Sequence, residues 1–309
     1  MTTTEATGAQ PIRLRAERRR WGEDVIKGAL ALCALVSVAT TVGIVVALTE
    51  PAIEFFREIN FVDFITGTRW APLFEPASFG FLPLLVGTLS VVLWACVVCM
   101  PFGLGAAIYL SEYARPRVRS TLKPALEVLA GIPTVVYGYF ALTFVTPLLG
   151  DVGIGVGTFN ALSAGLVMGV MLIPTVASLS EDAMTAVPQD LRDGAYALGS
   201  TKLQVSTRIV VPAAISGIVA SYVLAISRAI GETMIVLIAA GQQPNLSFDP
   251  REAVETMTAF IAAIGAGDVP TGSIEYKTIF AVGLTLFAIT FVMNLVAIRL
   301  VRKYREVYE

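Results

Sequence analysis

The chain has 309 residues, a formal net charge of −2 and no histidine, and 55% of its residues are hydrophobic. Its mean hydropathy is +0.74 and only 15% of its residues are charged, whereas soluble domains contain about 25% charged residues. These values exclude an ordinary soluble protein and leave no excess of positive charge for binding nucleic acid. The absence of histidine also removes the commonest metal ligand.

Six apolar segments follow one another along the chain, and each is long enough to cross a bilayer, which takes about 20 residues. They predict an all-α integral membrane protein with six transmembrane helices. The spans lie at about 25–48, 82–110, 125–148, 159–180, 212–240 and 277–301. A basic segment, 1–24, precedes the transmembrane domain 25–301, and a short tail, 302–309, follows it. Pro101 and Pro133 fall inside the second and third spans, where proline predicts a kink or a break.

Positive charge is concentrated in alternate loops. All but five of the 22 basic residues lie in the segments 1–27, 111–124, 181–211 and 299–309. The five exceptions are Arg57, Arg69, Arg228, Arg251 and Lys277. Because basic residues near the spans favour the cytoplasmic side of a membrane, this distribution predicts that both chain termini are cytoplasmic.

The loop 49–81, which this orientation places outside, is rich in aromatic residues. They are Phe55, Phe56, Phe61, Phe64, Trp70, Phe74, Phe79 and Phe81. Aromatic side chains are enriched at the membrane–water interface, so the favoured interpretation is an interfacial belt. The alternative interpretation is a docking surface for an external partner.

The loop before the fifth span reads DLRDGAYALGSTKLQVSTRIVVP, from Asp190 to Pro212. Its apolar spacing predicts a short helix, a turn at Gly199 and a second helix that reaches the bilayer at Pro212. These parts would form a compact projection at the cytoplasmic surface.

The fifth predicted span itself contains two charges, in the stretch AISRAIGETMIVLI at 225–238. On a straight helix that starts at Pro212, Arg228 lies about 24 Å from the entry, and Glu232 lies one turn further on the same face. A charge at the bilayer centre costs about 2.5–3.5 kcal/mol, so both side chains are expected to face protein or a water-filled path. Either they form an internal ion pair, or Arg228 faces the path and binds an oxyanion through its planar set of donors while Glu232 holds it in place.

The loop 181–211 resembles the coupling loop of ABC importer permeases, whose pattern is Glu-Ala-Ala, three residues, Gly, nine residues, Ile, one residue and Leu-Pro. The matching positions are Asp193, Gly194, Ala195, Gly199, Ile209, Val211 and Pro212. Asp193, Gly194 and Val211 depart from the pattern. Asp193 keeps the negative charge, whereas Gly194 weakens the helix by about 1 kcal/mol relative to alanine.

Two further stretches resemble the phosphate-specific (Pst) branch of these permeases, and within it the PstC subunit more than its sister PstA. They are AIYLSEYARPRVRSTLKPALEVLAGIPTVVYGYFAL at 107–142 and SRAIGETMIVLIAAG at 227–241. The resemblance runs from about residue 20 to 305 and implies a type I ABC importer permease fold. Because Arg228 and Glu232 belong to the recurring motif of the branch, it also favours the oxyanion interpretation of this pair.

The resemblance implies a permease in a bacterial cell membrane, surrounded by lipid, with no catalytic chemistry and no cofactor of its own. Its expected partners are a PstA-like sister permease, a PstB-like ATPase dimer that binds ATP and Mg²⁺, and an extracytoplasmic phosphate-binding protein. The expected substrate is inorganic phosphate. The segment from Asp193 to Gly199 is then the part that the ATPase moves.

Weaker candidates and other interpretations remain. Thr134 and Tyr137 follow the proline break and are candidates to line the path, although Tyr137 is equally well explained as a packed aromatic residue. Glu112 and Glu127 flank the basic loop 111–124 and are expected to pair with its arginines. The other functions are a PstA-like subunit, a permease for another oxyanion, and a channel or secondary transporter that works without ATP. An intramembrane enzyme is disfavoured, because the spans contain no nucleophile beside a base.

Overall fold

A computed structural model of the chain describes residues 21–304. The helices are α1 (Trp21–Glu58), α2 (Phe61–Thr66), α3 (Leu82–Ile108), α4 (Pro116–Ala130), α5 (Thr134–Phe140), α6 (Thr146–Asp151), α7 (Ala161–Thr185), α8 (Gln189–Ala197), α9 (Lys202–Val205), α10 (Val211–Ala213), α11 (Ile215–Ile230), α12 (Met257–Gly265) and α13 (Ile274–Tyr304). Four stretches are π-helical: Tyr109–Tyr113, Ala141–Val145, Ser206–Val210 and Val236–Ala240. Two short antiparallel strands are β1 (Trp70–Ala71) and β2 (Ser78–Phe79). Most of the predicted basic segment 1–24 and of the tail 302–309 lies outside the described residues.

The chain divides into two compact units, residues 1–47 and 48–309. In the first unit, the described part of α1 exposes most of its valine, leucine and isoleucine side chains. A helix bonds its own backbone groups and can therefore present apolar side chains to hydrocarbon on every side. This part of α1 has the properties of a lipid-facing span.

Four helices in the described part of the chain are long and apolar enough to cross a membrane, and up to six spans result if each of two bent helix pairs is one span. The four are Gly22–Glu58, Leu82–Tyr113, Ala161–Thr185 and Ile274–Arg299. The bent pairs are Pro116–Ala130 with Thr134–Asp151, and Lys202–Ala213 with Ile215–Ile230. This arrangement confirms the predicted all-α membrane class.

The third predicted span, 125–148, is not a single helix, because α4 and α5 meet at an angle of 85°. The N–H group of Gly131 closes α4, and Pro133 stands directly before α5. Proline has no N–H group and fits the start of a helix better than its interior. The break predicted at Pro133 is therefore confirmed, whereas α3 continues through Pro101.

The fifth predicted span, 212–240, is wrong as a single helix. Helical structure begins earlier, at Lys202, and bends by 70° between α10 and α11. Then α11 ends at Ile230, and a separate helical stretch occupies 234–240. Pro212 and the π-helical turn Ser206–Val210 lie just before the bend; proline and π-helical turns are two common causes of such bends.

The centre of the second unit is the contact between α3 and α7. Gly165 and Gly169 lie four residues apart on α7, a spacing at which membrane helices approach each other closely. A Cβ atom at Gly165 would lie 2.6 Å from the Cβ of Trp94, and one at Gly169 would lie 2.6 Å from the Cβ of Val98. The two helices therefore meet at these glycines with no room for a side chain.

Replacing Gly169 by valine is expected to disrupt this contact and to reduce the recovery of folded protein from the membrane. The new side chain must displace Val98 and the carbonyl of Ala95, which lies 2.8 Å from a Cβ atom at this position. Overpacking of this kind typically costs about 1–3 kcal/mol. Gly105→Val is the matched control, because nothing lies within 4 Å of a Cβ atom at Gly105. Equal monodisperse yields of both variants in size-exclusion chromatography would contradict the prediction.

Aromatic residues of the loop 49–81 form a packed cluster within the core of the second unit. Phe55 and Phe64 are fully buried, and their rings meet edge to face with centroids 5.8 Å apart. Trp70 extends the cluster to Phe260 of α12, at a centroid distance of 4.8 Å. For these residues the interpretation as an interfacial belt is wrong, because the rings bury against one another instead of facing headgroups.

Candidate functional site

The candidate site lies where the fifth membrane segment breaks, at the end of α11. Arg228 is in the last turn of α11, and its side chain is exposed in the isolated chain. Its Nη1 donates a hydrogen bond to Thr175 Oγ1 of α7 over 3.4 Å. The helix dipole favours a cation in the last turn by about 0.3–1 kcal/mol. The end of α11 therefore helps to accommodate this charge.

Glu232 does not pair with Arg228. Its Oε1 accepts hydrogen bonds from the backbone N–H groups of Met234, at 3.0 Å, and Ile235, at 3.4 Å. The carboxylate thus satisfies donors at the start of the helical stretch 234–240, and this cap stabilises the break after Ile230. The internal ion pair is absent from the described structure, because the two residues lie on opposite sides of a helix break.

The bend before α11 also changes the position expected for Arg228. This residue lies about 20 Å along α11 from Ile215, at 1.5 Å per residue, rather than 24 Å along a straight helix from Pro212. Next to it, Ser227 Oγ donates to Asn294 Oδ1 of α13 over 3.2 Å. An exposed guanidinium in an apolar segment is costly against lipid hydrocarbon. This face of α11 is therefore expected to meet protein or water in the membrane.

The short helix α12 also contacts the break after α11. Thr258 Oγ1 donates to the backbone oxygen of Glu232 over 2.6 Å, and the N–H group of Met257 donates to Thr88 Oγ1 of α3 over 3.1 Å. The apolar pattern did not predict α12. The sequence does contain a repeated pattern that could have indicated this helix. The triplet Glu-Thr-Met, beginning at Glu232 and at Glu255, stands at the start of the helical stretch 234–240 and of α12.

Glu255, which begins the second Glu-Thr-Met triplet, is a further carboxylic acid near the break. It is only 7% exposed, and no residue that the structure describes donates a hydrogen bond to its carboxyl group. Burial raises the pKa of Glu255 to about 7. Glu255 therefore differs in its contacts from Glu232, whose carboxylate accepts hydrogen bonds from two backbone N–H groups.

The two hydroxyl candidates near the proline break differ in their surroundings. Tyr137 is 8% exposed, and its hydroxyl donates to the carbonyl of Leu129 over 2.8 Å. This hydroxyl bonds α5 to the end of α4, which favours the interpretation of Tyr137 as a packed aromatic residue, and its role in the path stays a prediction. Thr134 is half-buried at the start of α5, and its role in the path stays a prediction. Glu127 is exposed and makes no ion pair with a described residue, contrary to expectation.

The predicted coupling segment has the expected local structure of a helix, a turn and a second helix. Gly199 ends α8 with φ +81°, in the left-handed region that glycine adopts without steric cost. Thr201 then caps α9 in a reciprocal capping box with Gln204. The glycine and the cap together define a sharp turn between the two helices.

The positions that match the coupling pattern divide between two environments. The exposed positions are Asp193, Gly194, Gly199 and Pro212. Buried or half-buried are Ala195, Ile209 and Val211. Ala195 packs with Val205 and Ile218 in a small apolar cluster. One side of α8 is therefore attached to the rest of the second unit, and the opposite side is open to a partner.

Two charge clusters near this segment, each built on a buried carboxylate, were not predicted. Glu181 of α7 is fully buried and pairs with Arg119 and Lys123 of α4; the distance to Lys123 Nζ is 2.8 Å. Glu112 pairs with Arg192 of α8 over 3.1 Å. The expectation that Glu112 pairs within its own loop is wrong, because α8 brings Arg192 to it. Sequence spacing does not reveal a partner 80 residues away.

Two loops on the predicted outer side line an open cavity of about 1020 Å³, drawn from residues 155–159 and 243–253. The N–H group of Gly157 donates to the backbone oxygen of Arg251 over 2.9 Å, which joins the two loops. Arg251 Nε also donates to Asp249 over 2.9 Å. Hydrogen bonds from Arg251 lower the pKa of Asp249 to about 2, so this carboxylate is ionised at neutral pH. The polar lining suits water or a protein surface better than lipid.

Comparison with known proteins identifies the kind of protein to which these features belong. Residues 99–306 match the family described as "Binding-protein-dependent transport system inner membrane component". The chain belongs to this family of ABC importer permeases. The permease is accordingly a multi-pass protein of the bacterial inner membrane. As a permease subunit of a binding-protein-dependent ABC transporter, it works with a partner ATPase that hydrolyses ATP and with a binding protein.

Curated relatives cover most of the permease. It is 33% identical over 300 residues to the "Probable ABC transporter permease protein YqgH" of Bacillus subtilis, covering 96% of each chain. It is 32% identical over 302 residues to the "Phosphate transport system permease protein PstC" of Xylella fastidiosa, covering 87% of this chain and 90% of that one. It is 34% identical over 285 residues to "PstC 1" of Mycobacterium tuberculosis, covering 79% and 83%.

Solved structures support the fold. The permease is similar to a chain of a bacterial alginate ABC transporter in complex with a pentasaccharide-bound periplasmic protein, with a TM-score of 0.62 and 15% identity. That similarity covers 92% of this chain and 98% of the other. It is also similar to a chain of the inward-facing MetNI methionine ABC transporter, with a TM-score of 0.55, 17% identity and coverage of 74% and 95%. The predicted type I importer permease fold is therefore confirmed.

Proposed function

We propose that this permease imports inorganic phosphate as the PstC-like subunit of a phosphate transporter. A PstA-like sister permease completes the path, a PstB-like ATPase dimer drives it, and an extracytoplasmic phosphate-binding protein delivers the substrate. The observation that carries the proposal is the exposed guanidinium of Arg228 at the break after α11. Several PstC proteins among the relatives add support, at 30–34% identity.

The surroundings of Arg228 suit a site that binds an anion and then releases it. In the described structure no carboxylate neutralises the guanidinium, because Glu232 is bonded to backbone N–H groups. An arginine binds an oxyanion through two parallel hydrogen bonds, which are stronger than neutral ones. The single long bond to Thr175 Oγ1 leaves most of its five donors free for substrate. Glu232 shapes the break that presents Arg228.

Two other assignments share the same architecture. A permease for another oxyanion would use the same arginine chemistry, since sulfate and phosphate have similar shapes. A PstA-like subunit would occupy the other half of the same transporter. The name of the Bacillus subtilis relative specifies no substrate. The substrate and the subunit therefore have to be separated by experiment.

The substrate is tested by reconstituting the permease with its sister subunit, ATPase and binding protein, and measuring uptake of radiolabelled phosphate into vesicles. We expect ATP-dependent uptake that a hundredfold excess of unlabelled phosphate abolishes and the same excess of sulfate or molybdate leaves intact. Inhibition by sulfate or molybdate, or uptake of labelled sulfate in place of phosphate, would overturn the proposed substrate. Uptake is also measured with complexes that contain two copies of this permease or two copies of its sister. Loss of uptake in both would show that the two different subunits are needed.

A further inference from the structure

Arg192 is a buried arginine of α8 whose side chain reaches two other helices. It is 9% exposed. Its Nη1 donates to the carbonyl of Val187 over 2.6 Å, and its Nη2 donates to the carbonyl of Met184 over 2.8 Å and to Glu112 Oε1 over 3.1 Å. One guanidinium therefore bonds to three acceptors from two other elements of the fold.

The two carbonyl acceptors belong to the end of α7. Met184 lies in the last turn of α7, and Val187 follows it. The last carbonyl groups of a helix have no partner within the helix, and a cation there is also favoured by the helix dipole. Arg192 therefore caps α7 from α8. The two helices cannot move relative to each other at this point unless these bonds break.

The third acceptor belongs to the end of α3. Glu112 lies in the π-helical stretch Tyr109–Tyr113 that continues α3, and its side chain is only 5% exposed. Charge-assisted hydrogen bonds between buried groups are stronger and more sharply oriented than neutral ones. Since α3 and α7 are the two helices that meet at the Gly165–Gly169 contact, Arg192 joins α8 to both members of the central helix pair.

The opposite side of α8 has no such attachment among the described residues. Asp193 and Gly194 are exposed, and Leu198, at the end of the helix, is 89% exposed. A partner that pushes or pulls on this side would therefore act on a helix that is anchored through Arg192 on its other side.

We propose that Arg192 is the positioning residue that transmits movement of α8 to the paired helices α3 and α7. This inference rests on the proposed function in one respect, since the movement of α8 comes from the partner ATPase. Arg192 contacts neither substrate nor nucleotide. It keeps α8 in a constant position relative to α7 and Glu112, so that displacement of α8 becomes displacement of the path.

The test measures ATP hydrolysis and substrate uptake in the same vesicles, with the complete transporter reconstituted. Arg192→Lys keeps the charge but cannot reach all three acceptors with a planar fork. We expect it to assemble and hydrolyse ATP as the wild type does, while the ATP consumed per substrate imported rises severalfold. Arg117→Lys is the matched control, because Arg117 is exposed in the neighbouring helix and its side chain pairs with no described residue.

A double variant separates coupling from stability. Glu112→Met with Arg192→Met removes both buried charges, and such replacements often leave a protein as stable as before. We expect this variant to assemble with the ATPase and to show the same raised ratio of ATP to substrate. A wild-type ratio in either variant would overturn the proposal. So would uptake and hydrolysis that fall in proportion to a lower recovery of ATPase, since that result indicates a purely structural pair.

The wild-type vesicles distinguish this proposal from the proposed function. If they import another oxyanion in place of phosphate, the proposed substrate is wrong, and the ratio of ATP to substrate is then measured with that oxyanion. The role of Arg192 is decided in either case by the comparison of the variants with Arg117→Lys.

Discussion

Phosphate uptake is expected to fall about tenfold or more when Arg228 is replaced by lysine, while the amount of assembled transporter stays unchanged. Lysine keeps the positive charge but loses the planar fork that binds an oxyanion with two bonds. Hydrogen bonds to charged groups contribute about 1.5–3 kcal/mol each, and 1.4 kcal/mol corresponds to a factor of ten. Because Arg228 pairs with no carboxylate in the described structure, its replacement leaves no buried partner uncompensated. Initial uptake rates and the yield of the purified complex measure the two quantities.

Arg69→Lys is the control for this substitution, since Arg69 is an exposed arginine of the loop 49–81. Its uptake is expected to match the wild type. Normal uptake by Arg228→Lys at normal yield would show that the guanidinium does not bind the substrate. A yield that falls together with uptake would instead indicate that Arg228 supports assembly, which is the outcome expected of a purely structural residue.

Replacing Gly199 by valine is expected to reduce co-purification of the ATPase to roughly a third or less. Gly199 has φ +81°, and a residue with a Cβ atom pays about 1–2 kcal/mol in the left-handed region, with β-branched residues the least tolerated. The turn between α8 and α9 would open to relieve that strain, and the exposed side of α8 would no longer be presented in the same way. Affinity purification of the permease followed by quantification of the ATPase measures the effect.

Gly199→Asn provides the matched comparison at the same position. Asparagine adopts left-handed backbone conformations more readily than other residues with a side chain. We therefore expect this variant to keep most of the ATPase that valine loses. Equal recovery in both variants, with coupled ATP hydrolysis intact, would show that the turn at Gly199 has no part in docking.

Much of the membrane architecture was predictable, because the solvent imposes it. Long apolar runs in a bilayer must form helices that satisfy their own backbone groups, so hydropathy alone predicts the all-α class. The break at Pro133 was predictable for an equally local reason, since proline lacks an N–H donor wherever it occurs. The helix, glycine turn and helix of the coupling segment depend on Gly199 and on the cap at Thr201, which also act within a few residues of chain.

Other predictions failed because they extended a local rule across a tertiary contact. The periodicity of 212–240 is compatible with one helix and contains no proline near residue 230. The break there is stabilised by the Glu232 cap and by the bond from Thr258, which comes from a helix 26 residues further on. An i,i+4 ion pair between Arg228 and Glu232 requires an uninterrupted helix. Because the helix is broken after Ile230, the predicted ion pair does not form. The predicted interfacial belt fails for Phe55 and Phe64, because their rings have their partners inside the fold.

The amino-acid sequence by itself determined that the protein lies in a membrane, that it is helical and where its local turns fall. Each of these depends on the chemistry of residues that are neighbours in the chain. The coupling pattern and the charged stretch around Arg228 likewise pointed to an ABC importer permease. Only the tertiary structure decided which charges are partners. Arg192 lies beside Glu112, Glu181 beside Lys123, and Arg228 beside no acid that the structure describes. Pairing across 58 or 80 residues depends on how the helices pack, and that packing is set at contacts such as Gly169 against Val98.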